Sequence, residues 1–219
     1  AVALACALKA DVCHIFSDVK GVYTADPHFI SSASLLEGIS YEEMIEMAGS
    51  GSQVMMSRAV EIARRHDMKI RLSSSFENYP GTLITKEAEL EQVIITGISV
   101  NENIAKIDII GEKNDPQFAA NVLGEISACH INIVILNFHE TRDGKTILSI
   151  IVRPNDVAMI EEKLGYFQKK GKIAGYRTDV NVAQVSLVGS GIAAHCGVAH
   201  QIFQILAKNN ITILMTSTS

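Results

Sequence analysis

The stretches Ala105-Lys-Ile-Asp-Ile-Ile-Gly111 and Ala183-Gln-Val-Ser-Leu-Val-Gly189 follow one pattern. Each begins with alanine, alternates apolar and polar residues as a half-buried strand does, and ends in a glycine. A second pair repeats farther on, since His130-Ile-Asn-Ile-Val-Ile-Leu136 is similar to Asn210-Ile-Thr-Ile-Leu-Met215. The two copies lie about 80 residues apart in both pairs. The repeat predicts two units of the same fold.

The first copy predicts a complete βαββαβ unit. Each copy reads as strand, Gly-containing loop, helix and strand, and the first continues through a strand at 145–153, a helix at 155–168 and a strand at 172–180. This order is the ferredoxin-like split unit, whose open edges favour pairing with another copy. The second copy stops at Ser219 after βαβ, so we expect a strand within 91–100 to complete it. The first unit would then be inserted into the second.

Residues 1–86 follow a different pattern, in which helices and strands alternate. We expect helices at 1–10, 41–48 and 53–66, and strands at 11–16, 68–73 and 82–85. Ser40 and Glu43 have the spacing of a capping box. Such alternation predicts an α/β unit with a mainly parallel sheet. The predicted domains are therefore 1–86, 104–181, and 91–103 with 182–219, the last one incomplete.

The motif Ser17-Asp-Val-Lys-Gly-Val-Tyr-Thr-Ala-Asp-Pro27 directly follows the predicted strand at 11–16. Ligands of α/β sheets bind at the carboxyl ends of strands. A carboxylate at Asp18, a tight-turn glycine and an aromatic ring at Tyr23 suit a nucleotide, while a structural hairpin is the alternative interpretation. Asp18 and Asp26 are expected to position a ligand rather than catalyse, because no base or metal cluster accompanies them.

The loop Gly111-Glu-Lys-Asn-Asp-Pro116 joins a predicted strand to a predicted helix. Asp115 suits the N-cap and Pro116 the first helical position. Free N–H groups there can hold a carboxylate, and Asn114 or Asp115 can accept from an α-ammonium group. The pattern fits a free amino acid, although a capped helix without a ligand has the same sequence. In the corresponding loop, 189–197, the glycine spacing excludes a dinucleotide fingerprint.

Composition excludes several classes of function. The net charge of −5 and the lack of a Lys/Arg run argue against a nucleic acid partner, and no apolar run is long enough to span a membrane. Four scattered cysteines favour a cytoplasmic protein, and the histidines show no metal-binding spacing. The apolar opening residues lack a methionine or a basic leader, so we expect a piece of a longer protein that begins within a domain.

Taken together, the motif at 17–27, the region 49–58 and the tandem repeat resemble the aspartate kinase family. Other stretches similar to that family are 39–44, 57–61, 71–76 with 81–83, and 216–219. The resemblance covers essentially the whole chain. It implies the last third of an amino-acid-kinase domain followed by two ACT domains. It also implies phosphorylation of L-aspartate by ATP, with Mg²⁺, to 4-phospho-L-aspartate at the start of lysine, threonine and methionine biosynthesis.

The resemblance also implies which residues bind ligands. The expected nucleotide-binding residues are Ser17, Asp18, Tyr23, Thr24, Ala25, Asp26, Pro27, His28 and Gln53. Those expected to contact an allosteric effector, lysine with or without threonine, are Asn114, Asp115, Ala119, Asn132 and His195. The family usually has arginine at the position of His28, lysine at that of Gln53 and an acidic residue at that of Val134. His28 and Gln53 therefore stand where the family has two permanently charged side chains near the phosphates of ATP.

The resemblance implies a homodimer formed through the ACT domains. It places the family's phosphate cradle and aspartate-binding residues outside this chain, so no catalytic residue is predicted and we expect the segment alone to be inactive. The alternative hypothesis is a non-catalytic regulatory subunit, or an amino-acid-sensing ACT module that carries a degenerate kinase remnant.

Overall fold

The computed structural model describes residues 1–52, 54–86, 94–112, 115–141, 143–192 and 195–218. The chain divides into two compact units. Unit 1 comprises Ala1–Asn101 and Gln184–Thr212, and unit 2 comprises Glu102–Ala183 and Ile213–Ser219.

The main sheet of unit 1 has four strands in the order β1-β3-β4-β2. They are β1 (Cys13–Ser17), β2 (Gly38–Ser40), β3 (Ile70–Ser74) and β4 (Thr82–Thr85). β1 is parallel to β3 and β2 is parallel to β4, whereas β3 and β4 are antiparallel. The mainly parallel sheet is thus confirmed, with one antiparallel pairing across the turn at Pro80 and Gly81.

Three helices pack with this sheet: α1 (Val2–Ala7), α2 (Tyr41–Gly49) and α3 (Ser57–Arg65). The capping box at the start of α2 is present, because the Glu43 N–H donates to Ser40 Oγ and the Ser40 N–H donates to Glu43 Oε2, both at 3.2 Å. α3 begins four residues later than predicted, after an extended N-cap at Met56. The core includes Ile39, Met44, Val60, Ile70 and Ile84, all fully buried.

Strand β5 (Gly97–Asn101) pairs antiparallel with β10 (Gln184–Val188), and helix α6 (Val198–Lys208) follows β10. This pairing joins the segments before and after the first copy, so the inserted topology is confirmed. The strand predicted at 210–215 is wrong, because the described residues from 211 to 218 form no ladder. An extended segment without a paired neighbour is not a strand.

Unit 2 has the sheet order β7-β8-β6-β9, with every pairing antiparallel. Its elements are β6 (Ala105–Gly111), α4 (Phe118–Ala128), β7 (Ile135–Glu140), β8 (Thr146–Val152), α5 (Val157–Lys169) and β9 (Gly175–Asp179). The predicted βαββαβ order is confirmed. The core consists of apolar side chains from the strands and both helices, among them Ile107, Leu148, Phe118 and Ile160.

Candidate functional site

The motif at 17–27 lies where β1 ends. Residues 17–28, to which the resemblance assigns a nucleotide, are called the nucleotide loop below. Because β1 and β3 are parallel, their carboxyl ends lie at the same edge, and the Ser75 N–H donates to the Ser17 carbonyl oxygen at 2.7 Å. Ser17 Oγ donates to Asp18 Oδ1 at 3.0 Å, and Asp18 is exposed. The sheet therefore presents a carboxylate at the edge where α/β proteins bind ligands.

The buried hydroxyl of Thr82 closes the segment from 22 to 36 at its base. This hydroxyl accepts from the Val22 N–H at 2.8 Å and donates to the Leu36 carbonyl oxygen at 2.6 Å. The Leu36 N–H also donates to the Val22 carbonyl oxygen at 2.8 Å. A Cβ at Gly21 would lie 2.5 Å from Thr82 Oγ1, so glycine is required there. The structure thus contains the hairpin-like closure that was the alternative interpretation of the motif.

Residues 23–25 are half-buried inside this closure. Tyr23 bridges to Leu35, and the Thr24 N–H donates to the Ser34 carbonyl oxygen at 2.9 Å. The Ser34 N–H donates in return to Thr24 Oγ1 at 3.0 Å. The Thr24 carbonyl oxygen accepts from the Ile98 N–H of β5 at 2.8 Å. The nucleotide loop is therefore ordered by contacts within the chain.

Asp26 orders the exposed turn that includes Pro27 and His28. Its Oδ1 accepts from the His28 N–H at 2.8 Å and lies 2.9 Å from His28 Nδ1. The backbone hydrogen bond from His28 keeps the pKa of Asp26 below its usual value, against a small opposing effect of burial. His28 is thus held beside a carboxylate, while Gln53, the other expected phosphate-side residue, lies outside the described residues.

A cation beside the nucleotide loop was missed by the sequence analysis. Lys20 Nζ lies 2.8 Å from a carboxylate oxygen of Glu77 and 5.2 Å from the ring centroid of Tyr79. The hydrogen bond to Glu77 raises the pKa of Lys20. Ser74 Oγ, at the end of β3, accepts from the Glu77 N–H at 3.3 Å and so orients that segment. Lys20 stands within the motif, but nothing in the sequence indicated its partner.

The first predicted effector loop joins β6 to α4. Asp115 Oδ1 accepts from the Gln117 N–H at 2.9 Å, and α4 starts only at Phe118. The prediction that Asp115 caps a helix beginning at Pro116 is therefore wrong, because the carboxylate closes a separate turn before the helix. Ala119 is half-buried in the first turn of α4. Asn114 lies outside the described residues.

Asn132 lies at the opposite end of the unit 2 sheet from Asp115. Ile135 of β7 and Lys106 of β6 share the partner Ile151 on β8, so β6 and β7 start at the same end of the sheet. Asn132 precedes β7, and Asp115 follows β6. The two residues are exposed or half-buried, and within one copy the fold separates them by the length of the strands.

The second predicted effector loop, residues 189–197, follows β10 in unit 1. The exposed His195 places Nδ1 2.9 Å from the Gly191 carbonyl oxygen. Gly189 makes a close approach, since a Cβ there would lie 2.3 Å from the Ile94 carbonyl oxygen. His195 belongs to unit 1, whereas Asp115, Ala119 and Asn132 all belong to unit 2.

Two kinds of feature are absent from the part of the chain that the structure describes. No group of three or more His, Cys, Asp or Glu side chains is arranged to hold a metal ion. Among the described helices, none has the length and apolar character needed to cross a membrane.

Two family models match separate parts of the chain, and both matches lie wholly or mostly in unit 1. The model of the amino acid kinase family matches residues 1–74, and that of an ACT domain matches residues 185–219. These matches define the class of the chain as a segment of an amino acid kinase linked to an ACT domain.

Relatives and solved structures narrow that class. An aspartate kinase of Stutzerimonas stutzeri is 43% identical over all of this chain, which spans 53% of that relative. The crystal structure of Clostridium acetobutylicum aspartate kinase matches all of this chain and 50% of its own with a TM-score of 0.84 at 23% identity. E. coli aspartokinase III, solved with aspartate and ADP, matches all of this chain and 49% of its own with a TM-score of 0.82 at 24% identity. These two structures share the fold of this chain, and the chain is similar along its whole length to about half of an aspartate kinase.

Proposed function

We propose that this chain forms the nucleotide side and the regulatory part of an aspartate kinase. In that reaction a side-chain carboxylate oxygen of L-aspartate bonds to the γ-phosphorus of ATP. The bond from that phosphorus to the bridging oxygen breaks, and ADP leaves. The products are 4-phospho-L-aspartate and ADP, and catalysis depends on positioning and charge neutralisation. The ordered loop at the carboxyl end of β1 is the observation that carries the proposal.

The roles proposed for the nucleotide loop follow its geometry. The half-buried Ser17 and the exposed Asp18 are polar groups at the strand end, suited to a ribose. The backbone from Tyr23 to Pro27 is held by hydrogen bonds within the chain, so binding a nucleotide would cost little ordering entropy. His28 would face phosphate with its imidazole beside Asp26. Gln53 is proposed for the same side on the resemblance alone.

Mg²⁺ is implied because phosphoryl transfer needs its charge neutralised. The described residues present no cluster of His, Cys, Asp or Glu for it, so we assign it no ligand in this chain. The nucleotide phosphates would supply most of its coordination, as is common for Mg²⁺.

The regulatory proposal concerns the edge of the unit 2 sheet. β7 lies at one end of the strand order and exposes 45% of Leu136 and 53% of Phe138. Antiparallel pairing of two β7 edges would place Asn132 of one copy beside the sheet end that carries Asp115 of the partner subunit. A homodimer would thus bring Asn132 of one copy close to Asp115 and Ala119 of the partner subunit, from which its own copy keeps it apart. E. coli aspartokinase III has also been solved with lysine and aspartate. We therefore propose lysine or threonine as the effector.

Calorimetry on the 219-residue chain tests both parts of the proposal. We expect Mg·ADP to bind and Asp18→Asn to weaken it about tenfold, as expected for loss of a charged hydrogen bond. The matched control is Asp11→Asn, because Asp11 is also exposed but lies before the other end of β1. Lysine or threonine should bind separately. An aspartyl hydroxamate assay should detect no product from this chain alone, and absence of ADP binding would reject the nucleotide role.

A non-catalytic regulatory subunit or amino-acid sensor is the second candidate function. His28 at a position where the family usually has arginine favours it, because a guanidinium offers phosphate a permanent charge and several fixed donors that an imidazole lacks. Effector binding without ADP binding would select this candidate. The four free cysteines fit a reducing compartment, so we propose a cytoplasmic location for either function.

A further inference from the structure

Strand β5 is hydrogen bonded both to β10 and to the nucleotide loop. The Thr96 N–H, immediately before β5, donates to the Val188 carbonyl oxygen at 2.8 Å. The Ile98 N–H donates to the Thr24 carbonyl oxygen, also at 2.8 Å. Strand β5 is therefore hydrogen bonded both to the nucleotide loop and to β10, the strand that leads into loop 189–197.

Glu43 adds a second connection between these segments. Its Oε1 accepts from Thr96 Oγ1 at 2.7 Å and from the Ser190 N–H at 3.2 Å. Its Oε2 accepts from Ser40 Oγ at 2.8 Å and completes the capping box of α2. The side chain is only 7% exposed. Its neighbours among these donors are neutral, so the charge of Glu43 is stabilised by hydrogen bonds alone.

Gly189 packs closely against the backbone that precedes β5, and Gly97 lies close to the Met47 side chain. A Cβ at Gly97 would lie 2.9 Å from Met47 Cε, and one at Gly189 would lie 2.3 Å from the Ile94 carbonyl oxygen. Tightly packed contacts have few alternative arrangements, so a change in one segment is passed to its neighbour rather than absorbed.

We propose that Glu43 is a positioning residue that couples loop 189–197 to the nucleotide loop through Thr96 and β5. A carboxylate ligand at loop 189–197 would compete with Glu43 for the Ser190 N–H, because two anions cannot share one donor favourably. Without that donor, the Glu43 carboxylate shifts towards Thr96. Because Thr96 directly precedes β5, the displacement alters the position of β5 and with it the hydrogen bond from the Ile98 N–H to the Thr24 carbonyl oxygen. The identity of the ligands rests on the proposed function, whereas the coupling itself does not.

Amide hydrogen exchange in the ligand-free chain tests the coupling. Ser190→Pro removes the N–H that Glu43 accepts, and Ser190→Ala is the matched control that keeps it. We expect Ser190→Pro to accelerate exchange of the Thr24 and Ile98 amides about tenfold, the effect of losing one charged hydrogen bond on local opening. The alanine variant should exchange as the unchanged protein does.

The Leu72 amide, in the middle of β3, separates coupling from general destabilisation. If the variant merely destabilises the fold, exchange of the Leu72 amide should accelerate by the same factor as exchange of the Thr24 amide. If the segments are coupled, exchange should accelerate selectively at Thr24. Unchanged Thr24 exchange in Ser190→Pro would overturn the proposal. If Ser190→Pro does not fold, Thr96→Val removes the hydroxyl that donates to Glu43 and so interrupts the same coupling. Thr96→Ser keeps a hydroxyl at this position and should restore slow exchange. Failure of ADP or lysine to bind would reject the proposed function and leave this result standing.

Discussion

Glu43 in unit 1 and Asp108 in unit 2 are both carboxylates that accept several hydrogen bonds, the first buried and the second half-buried. Burial raises the pKa of each, but the hydrogen bonds lower it by more, so both pKa values lie below their usual range. Glu43 is 7% exposed, and the Asp108 side chain is 27% exposed.

The donors to the two carboxylates differ in origin. Thr96 and Ser190 lie 53 and 147 residues from Glu43 along the chain. Asp108 accepts from Lys106 on its own strand and from Ser149 on the adjacent strand β8. Asp108 thus supports a pairing that the β6–β8 ladder already fixes. Glu43 joins α2 to two segments that no strand pairing connects to that helix. Losing Glu43 should therefore disrupt more of the structure than losing Asp108.

Replacing Glu43 should therefore lower the free energy of unfolding more than replacing Asp108. We expect Glu43→Ala to lower the free energy of unfolding by about 2–4 kcal/mol, because buried donors lose a charged acceptor. Its neighbour Glu42 is the control, since its side chain is 62% exposed and lies 3.7 Å from Arg64. Glu42→Ala should cost about 0.5 kcal/mol or less. Urea titration followed by circular dichroism measures the free energy of unfolding of both variants. Equal losses in Glu43→Ala and Glu42→Ala would contradict the importance of the hydrogen bonds to Glu43.

Asp108→Ala should destabilise the protein by a smaller amount, about 1–2 kcal/mol. The half-buried ammonium of Lys106, 12% exposed, would lose its partner, while the β6–β8 pairing would remain. Adding Lys106→Met should recover part of the loss, because no unpaired charge would then be left. If the double variant is less stable than Asp108→Ala by the full cost of Lys106→Met alone, the ion pair contributes nothing.

The sequence predicted half of the Glu43 network. The spacing of Ser40 and Glu43 identified the capping box, because such a motif is local and needs only a helix start. Nothing local indicated that Thr96 and Ser190 would donate to the same carboxylate. Contacts between residues that distant depend on how the helices and strands of unit 1 pack, and a single sequence does not encode them in a readable spacing.

The same limit applies to the candidate site. The motif at 17–27 and the strand before it were readable, because turn residues follow an apolar strand. The role of Thr82 and the pairing of Lys20 with Glu77 were not, since each joins segments far apart in the chain. The start of α4 was misplaced because Asp115 closes a turn, and Asx turns and helix caps use the same residue types.

Acid should weaken the protein through both carboxylates. Each has a folded pKa below its unfolded value of about 4, so the unfolded state binds more protons as pH falls. The stabilisation is complete above that unfolded value and is lost as pH falls towards the folded pKa. We expect Glu43→Gln to show a shallower fall in unfolding free energy below about pH 4.5 than the unchanged protein. Glu42→Gln should keep the original slope, and a parallel curve for Glu43→Gln would contradict the lowered pKa.

The smallest effect on folding is expected at the exposed edge of unit 2. Leu136→Lys should change the unfolding free energy by about 0.5 kcal/mol or less, because the side chain is already 45% exposed. It should nevertheless prevent association, since a charge on an edge strand opposes strand pairing between copies. Ile205→Lys on α6, where the native residue is 61% exposed, is the control that leaves association intact. Sedimentation velocity gives the oligomeric state. A dimer that persists in Leu136→Lys would mean that β7 is not the shared edge, and the effector residues would then have no common site.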